Sequence, residues 1–399
     1  MAAVSRRRLT QHVPLLAPVR PTADKAALES ALESVIERLR PARAVTIVVN
    51  DPQRHTCTRT VLRRLAEPLK GRPLRALVAT GSHHFDERAR RRFAREVLSA
   101  VGFREVAWHD CRSEDLVRVA GPLPWRGHRW LLEETHALLA IGSCELHYFA
   151  GITGAHKTLT IGCAHHDDIE ANHAHALSEA SRPGRLAGNP VHEGVAAMLA
   201  GLEAHRECLA INLFQVGRQI VAAAAGRPMA ALEALAPQVR RSYLRRIDRP
   251  ADALILHAEG VLGRSFYQAD KAIKNSEWAV RDGGWMILDA PCPEGVGQSH
   301  FMELLRQAPG YQAAEALLRR RGYRLGDHKA VRLRRLTDLR GVRVLAACEG
   351  LSDEELAVLG FQRCADVEAG LEAIGLDAGC RRVYRVADAA CLAVVAGEL

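Results

Sequence analysis

The sequence predicts an α/β protein of two domains, each built around a mainly parallel sheet. Apolar, β-branched runs alternate with amphipathic helical stretches in the first half of the chain, and the same alternation restarts near residue 245. A chain of 399 residues also suggests two or three domains, at roughly 100–200 residues each. This rhythm is typical of doubly wound α/β domains. We therefore expect an N-terminal α/β domain over residues 1–245 and a C-terminal α/β domain over residues 246–399.

The first domain opens with a strand pattern and then alternates. The segment ARAVTIVVND is almost continuously apolar, as expected of a strand that is buried on both faces of a parallel sheet. The alanine-rich stretch 193–236 is expected to be helical. The other predicted elements of this domain are strands at 42–51, 74–84, 105–110 and 137–151 and helices at 58–69 and 85–102.

The second domain repeats the pattern after a short linker. The segment FYQADKAIKNSEWAV has a helical pattern and lies between two apolar strand patterns. The predicted segments are a strand within 245–260, a helix at 266–280, a strand within 283–295, and further α/β elements at 328–336, 342–350 and 380–390.

Composition excludes several classes of protein. No apolar run of about 18 residues is present, which argues against a membrane-spanning helix. The N-terminal MAAVSRRRLTQHV lacks the apolar core of a secretory signal. Ten cysteines without paired spacing predict reduced thiols and a cytosolic compartment. The net charge of +9 is spread over short arginine clusters that fit solvated helix faces, so a nucleic-acid partner is not expected.

Polar residues follow the ends of several predicted strands. Asp51 closes the first strand, Gly81-Ser82-His83 the second, and His147 stands near the end of a later one. Ligands of open α/β sheets bind outside the carboxyl ends of the strands. We therefore expect these segments to meet in one crevice. A guanidinium at such a place, as Arg54 offers in NDPQRHT, suits a carboxylate or a phosphate.

The segment HYFAGITGAHKTLTIGCAHHDDIEANH (147–173) contains most of the candidate chemistry. Lys157 follows a glycine-rich turn of the kind that brings backbone N–H groups close to a phosphate. The spacing is neither a Walker loop nor GxGxxG, and a tight turn with a solvated lysine is the alternative. His147 and His173 could each be a general base, a metal ligand or a structural residue. The HHDD run at 165–168 fits the polar start of a helix or a metal site.

A second helical pattern carries Tyr267 and Lys271, which stand four apart and hence on one helical face. Alone, such a pair is ordinary surface.

The order of these motifs resembles the lactate racemase family, whose members use a nickel-pincer nucleotide. The match covers about residues 45–300. It consists of DPQRHT with Asp51 and Arg54, GSH at 81–83, HYFAGITGAHK at 147–157, ANH at 171–173, GNPVH at 188–192 and YQADK at 267–271.

The resemblance implies a role for each matched residue. Lys157 would tether the cofactor, which is a pyridinium mononucleotide with two sulfur donors. His173 would be the protein ligand of the nickel that the cofactor holds. This assignment suits nickel, which binds imidazole and soft sulfur donors well. The cofactor would lie in a cleft between the two domains. A hydride would pass reversibly between the substrate's α-carbon and the cofactor. The remaining implied roles are cofactor binding by Asp51, Thr153 and Gly154, acid–base catalysis by His83 and His147, and substrate binding by Arg54, Tyr267, Gln268 and Lys271.

The sequence departs from the family pattern at several positions, including substrate-side positions and one position of the glycine loop. His55 and Ile161 each stand where the family commonly has proline, and His84 stands where it usually has arginine. Ala155 replaces the second glycine of the loop. His328 stands near the position of a bulky tryptophan. The implied function is a racemase or epimerase of an anionic α-hydroxy acid other than lactate, served by separate cofactor-maturation enzymes.

Two other classes of function stay open at this point. One is a metal-dependent hydrolase with zinc on residues such as His147, His165 and His166, although the sequence has no HExxH. The other is a non-catalytic binder, including a degenerate relative of the family.

Overall fold

A computed structural model describes residues 13–24, 26–297, 300–375 and 382–397. The N-terminal half contains, in chain order, β1 (Leu15–Leu16), α1 (Ala27–Leu39), β2 (Val45–Asn50), α2 (Thr58–Leu65), β3 (Leu74–Ala79), α3 (Glu87–Glu96), β4 (Glu105–Trp108), β5 (Val117–Val119), β6 (Trp125–Gly127), β7 (Ala137–Ser143), β8 (Leu146–His147), β9 (Gly151–Ile152), α4 (Ala155–Leu159), α5 (His166–Ala174), α6 (Pro190–His205), β10 (Cys208–Val216), β11 (Gln219–Gly226) and α7 (Pro228–Tyr243).

The C-terminal half continues with the same alternation. Its elements are β12 (Leu244–Ile247), β13 (Ala251–His257), α8 (Phe266–Ser276), β14 (Val280–Asp289), α9 (His300–Gln307), α10 (Tyr311–Arg321), α11 (Asp327–Arg334), β15 (Arg343–Ala347), α12 (Asp353–Leu359), β16 (Gln362–Arg363), α13 (Val367–Ala373), β17 (Val383–Val386) and β18 (Ala393–Ala396).

The chain divides into two compact units. One unit is Arg20–Arg240, and the other combines Met1–Val19 with Arg241–Leu399. Each unit has its own six-stranded sheet. The mixed α/β fold predicted from the sequence is therefore confirmed. The predicted domain limits at 245 and 246 stay a prediction.

The sheet of the Arg20–Arg240 unit has the order β11-β10-β7-β2-β3-β4. All neighbours are parallel except β10 and β11, which are antiparallel. Strands β2 and β3 are buried at every position, as the continuous apolar runs predict. From β2 the chain moves outward to β3 and β4, and it then returns to β7 on the other side of β2. The switch point of the sheet therefore lies between β2 and β7, the place where open α/β sheets bind ligands.

The core of this unit packs helices against both sides of the strand run. Val45, Ile47 and Val49 of β2 are fully buried, and Val35 and Leu39 of α1 pack in the same apolar cluster. Glycine is required where β7 passes under the next helix. A Cβ at Gly142 would lie 2.5 Å from the backbone nitrogen of Ala155, so the missing side chain lets α4 rest directly on the sheet.

One predicted element is wrong in part. The stretch 193–236 was expected to be helical, but it forms the end of α6, the two strands β10 and β11, and the start of α7. Alanine has the highest helix propensity, and the run AAAAG in β11 suggested a helix for that reason. Strand pairing overrides this preference, because β11 pairs with β10, which lies beside β7 in the sheet and is buried over most of its length.

The sheet of the other unit has the order β1-β17-β13-β14-β15-β16, and every pair is parallel. Its core cluster includes Ala253 and Ile255 of β13, Ile287 of β14 and Leu345 of β15. The helix predicted at 266–280 is α8, Phe266–Ser276. Part of the segment predicted at 380–390 lies outside the described residues.

Within the described ranges, no helix is both long and apolar enough to cross a membrane. The described cysteines are free thiols, and most of them are buried, as their scattered spacing predicts.

Candidate active site

A cleft opens at the carboxyl ends of β2, β3 and β7, the three neighbouring strands at the switch point of the first sheet. Its cavity volume is about 100 Å³. Its lining consists of Asn50, Asp51, Arg54, Ala79, Thr80, Gly81, Ser82, His83, Ser143, Thr153, Gly154, Lys157, Thr158, Ile161, Gly162, Ile169 and His173. Seven residues predicted as site residues from the sequence are in this set.

His83 and Asp51 form a hydrogen-bonded pair. The Nδ1 atom of His83 lies 2.9 Å from Oδ2 of Asp51, and Asp51 is only 4% exposed. The other carboxylate oxygen accepts a hydrogen bond from the backbone N–H of Gln53 at 2.8 Å, which closes the short 3₁₀ turn Pro52–Arg54. A carboxylate can only accept, so His83 donates through Nδ1, and in the neutral imidazole Nε2 keeps a lone pair. In this structure the carboxylate of Asp51 orients His83, and its predicted role in cofactor binding stays a prediction.

Arg54 ends the same 3₁₀ turn. Its Nη1 atom lies 3.9 Å from Oε2 of Glu145, a partly exposed carboxylate that follows β7. The next residue, His55, has φ of +49°. Proline is held near −65°, so the backbone at position 55 excludes the proline that is common in the family.

Lys157 lies in the short helix α4 rather than in a loop. It is 8% exposed, and its Nζ atom lies 5.7 Å from the centre of the Phe149 ring. The helix begins at Ala155, whose backbone N–H donates to Oδ1 of Asn212 at 2.7 Å. Ala155 is helical and is not one of the described residues with positive φ. The replacement of the family's second glycine therefore carries no backbone strain.

His173, on α5, faces the same cleft. Its Nδ1 atom donates to the carbonyl oxygen of Ile169 at 2.9 Å, because a carbonyl oxygen can only accept. Burial, and next the positive charge of Lys157, lower the pKa of His173 to about 3. The imidazole is therefore neutral near pH 7, with its Nε2 lone pair left for a ligand.

Thr153 and Gly154 form the wall between β9 and α4. The backbone N–H of Thr153 donates to the carbonyl oxygen of Glu145 at 2.8 Å, and its hydroxyl donates to the carbonyl oxygen of Ser143 at 3.3 Å. These bonds fix the turn that precedes Lys157.

His147 is near this group but does not line the described cleft. Its Nδ1 atom accepts from the backbone N–H of Ala150 at 3.3 Å. Its ring meets Phe149 edge-on at 4.4 Å, and the Phe149 ring in turn lies 5.3 Å from that of His173. With Nδ1 accepting, the ring proton of neutral His147 is on Nε2, so this tautomer is opposite to that of His83.

Sequence reasoning missed a chain of hydrogen bonds along the floor of the cleft. Ser143 donates to Glu145 at 2.7 Å and its hydroxyl lies 3.2 Å from that of Thr56. The Nδ2 atom of Asn50 donates to Thr56 at 2.8 Å, and its Oδ1 accepts from Thr158 at 2.7 Å. The members come from four separate segments, and only the position of Asn50 at a strand end was visible in the sequence.

The HHDD run begins a helix, as one of the two interpretations predicted. His165 is the N-cap of α5 and accepts from the N–H of Asp167. Among the described residues, the grouping with metal-ligand geometry is His166, Asp167 and Glu170. It does not include His147, so the predicted zinc set of His147, His165 and His166 is not brought together.

Tyr267, Gln268 and Lys271 lie on α8 of the other unit, and each is partly exposed. Their roles in substrate binding stay a prediction. His328, at the start of α11, is buried, and its Nδ1 atom lies 2.7 Å from the hydroxyl of Tyr323.

Comparison with known proteins agrees with the motifs. Residues 10–184 match the family described as the lactate racemase N-terminal domain. The lactate racemase of Thermoanaerobacterium thermosaccharolyticum is 27% identical over 277 residues, which cover 66% of this chain and 63% of that protein. The lactate racemase of Lactiplantibacillus plantarum is 26% identical over 298 residues, or 70% of this chain and 68% of that protein. The chain thus spans less than two thirds of the first relative's length.

Solved structures show the same fold. The lactate racemase apoprotein of T. thermosaccharolyticum superposes with a TM-score of 0.83 at 23% identity, covering 96% of this chain and 94% of that one. A protein of Thermotoga maritima gives a TM-score of 0.68 at 15% identity, covering 95% and 100%. At these identities the likeness shows the fold alone. The family match and the sequence relatives agree with the resemblance: the chain is similar to the lactate racemases, and residues 10–184 match their N-terminal domain.

Proposed function

We propose that this protein is a racemase or epimerase of an α-hydroxy acid and that it works with a nickel-pincer nucleotide tethered to Lys157. The observation that carries the proposal is one cleft that combines Lys157, a neutral His173, the His83–Asp51 pair and Arg54. Each of these residues matches the family motif by position, and the two sequence relatives described above are lactate racemases.

The residues fit the proposed cofactor. Lys157 offers an amine at the cleft wall, where Gly154 and Gly162 also line the cleft. A metal-ligating histidine usually donates its other ring N–H to a carbonyl or carboxylate, and His173 does so to Ile169. A neutral imidazole suits nickel beside soft sulfur donors. His173 would therefore hold the metal and Lys157 the nucleotide. When bound, the group would supply reversible acceptance of a hydride from the substrate's α-carbon.

The protein's own residues would bind the substrate and move its hydroxyl proton. Arg54 would hold the substrate carboxylate, with its own position restrained by Glu145. The free Nε2 lone pair of His83 would take the hydroxyl proton, and Asp51 would stabilise the imidazolium that forms. Tyr267, Gln268 and Lys271 are proposed to add contacts to the substrate.

His147 would donate a proton, whereas His83 would accept one. Its Nε2–H is the donor in the tautomer that the Ala150 contact favours. Racemisation needs one group that accepts a proton and another that returns it, with the two roles exchanged in the reverse direction. Two histidines in opposite tautomers support such a two-base scheme.

The substrate is proposed to be an anionic α-hydroxy acid other than lactate, since the family's proline and arginine are replaced by His55 and His84. Cofactor-maturation enzymes are the proposed partners, and the cytosol is the proposed compartment.

The test is a racemisation assay on protein produced together with maturation enzymes. Single enantiomers of a panel of α-hydroxy acids are incubated with the loaded protein, and the opposite enantiomer is measured by chiral chromatography. We expect at least one acid to racemise, and His83→Gln and His147→Gln to lower the rate by about 10²–10⁴-fold with cofactor loading unchanged. Loaded protein that converts none of the acids, or variants that keep the full rate, would refute the scheme.

A further inference from the structure

A buried lysine on α11 contacts Tyr267, one of the residues proposed to bind substrate. The Nζ atom of Lys329 donates to the carbonyl oxygen of Tyr267 at 2.8 Å. The same ammonium lies 4.1 Å from the centre of the Tyr267 ring. Lys329 is only 4% exposed. One side chain therefore contacts both the backbone and the phenol ring of Tyr267.

A shared carboxylate completes the surroundings of Lys329. Asp270, one turn beyond Tyr267 on α8, is 1% exposed and has Oδ2 at 3.3 Å from Lys329 Nζ. Its Oδ1 lies 3.8 Å from Nζ of Lys274, which is fully buried. Of the two lysine nitrogens, Nζ of Lys329 is therefore the closer to the Asp270 carboxylate.

An ammonium this deeply buried is costly unless it is held by several electron-rich partners. Lys329 has a carbonyl, a carboxylate and an aromatic face within reach. The carboxylate fixes where the ammonium lies, and the ammonium then restricts the plane of the Tyr267 ring through the cation–π contact. The orientation of Tyr267 is thus set from inside the unit, by Lys329 outside the family motif YQAxK and by Asp270 at the variable position of that motif.

We propose that Lys329 is a positioning residue for Tyr267 and that it determines how tightly the substrate is bound. The inference rests on the proposed function, because the substrate role of Tyr267 belongs to that proposal. Lys329 itself is buried against α8 and acts through Tyr267, so its loss should change substrate affinity more than the rate of the chemical step.

The kinetic test compares Lys329→Met with Lys274→Met. Both variants remove a buried ammonium from the same Asp270 carboxylate, but only Lys329 contacts Tyr267. We expect Lys329→Met to raise KM by about tenfold, the size of one lost cation–π contact or hydrogen bond, with kcat changed by less than about threefold. Lys274→Met should leave KM within about twofold. Equal effects of the two variants on KM, or none from Lys329→Met, would overturn the inference.

A second readout needs neither cofactor nor substrate. In protein labelled with fluorotyrosine, the Tyr267 signal is assigned by its loss in Tyr267→Phe. We expect this signal to shift and broaden in Lys329→Met and to stay in place in Lys274→Met. If the wild type proves inactive but the signal behaves in this way, the proposed function fails and the positioning by Lys329 stands.

An unmoved Tyr267 signal in active protein would overturn the positioning and leave the function intact. Should Lys329→Met fail to fold, Asp270→Asn takes its place, since it releases Lys329 while both lysines remain. A smaller shift of the same Tyr267 signal is then expected, and an unchanged signal would again overturn the inference.

Discussion

Asp51→Asn tests the central hydrogen bond of the cleft with a change of one atom. In the wild type the carboxylate can only accept, so His83 donates through Nδ1 and keeps the Nε2 lone pair. Asparagine can turn its NH₂ group toward Nδ1. The imidazole proton then moves to Nε2, and His83 no longer accepts a proton there.

The structure sets bounds on the size of the effect. If only the orientation of His83 is lost, a hydrogen bond to a charged group accounts for about 1.5–3 kcal/mol, which is about 10–150-fold in rate. If the tautomer changes, the decrease in kcat approaches the decrease expected from removing a general base, about 10²–10⁴-fold. Because Asp51 is 4% exposed, solvent cannot replace the lost acceptor, and we expect the larger range. KM should change little, since Arg54 is untouched.

The assay is kcat for racemisation by protein whose cofactor loading has been checked by mass. Asp86→Asn is the matched control. Asp86 is the N-cap of α3, where its carboxylate accepts from the N–H of Ala89 at 2.7 Å. This variant should lose stability at most and keep kcat. A loaded Asp51→Asn protein with kcat within threefold of the wild type would refute the role given to the pair.

Three further predictions follow from the same geometry. His173→Ala should lower bound nickel by about tenfold or more, since even an outer-shell partner of a metal site is worth that much, whereas the exposed His84→Ala should not; equal nickel in both would contradict the assignment. Gly142→Ala should cost about 1–3 kcal/mol of stability and impair cofactor loading, because its Cβ would meet Ala155; Gly102→Ala, with open space around it, is the control, and equal melting temperatures would contradict the packing argument. Burial lowers the pKa of His109 to about 4, against about 6.5 when unfolded. The unfolded state then binds more protons, so stability should fall as pH drops from 6.5 toward 4, by about 2 kcal/mol at pH 5; urea unfolding of wild type and His109→Gln checks this, and identical pH slopes would refute it.

The sequence predicted the sheet at the site well, because the signals there are local. Buried parallel strands have continuous apolar runs, and β2, β3 and β7 are such runs. Ligands bind at the carboxyl ends of such strands. This rule therefore predicts that Asp51, His83 and the segment after β7 lie close together. The failure at 193–236 has the opposite cause, since alanine favours helix locally and only pairing with β10 makes the alanine run of β11 a strand.

The hydrogen bonds within the site could not be predicted in the same way. Glu145, Ser143 and Thr56 meet although up to 89 positions separate them in the chain (145 minus 56). No periodicity links such residues, and each of them alone is ordinary in a loop. The pairing of Asp51 with His83 was likewise hidden, because the family motif suggested the cofactor as its partner.

The most direct test of the proposed cofactor chemistry is the intact mass of the protein made together with maturation enzymes, with nickel measured on the same sample. We predict a mass increase equal to the pincer nucleotide, located on Lys157 by peptide mapping, absent from Lys157→Ala, and accompanied by about one nickel per modified chain. An unmodified wild-type chain under conditions that load an authentic lactate racemase would contradict the proposal.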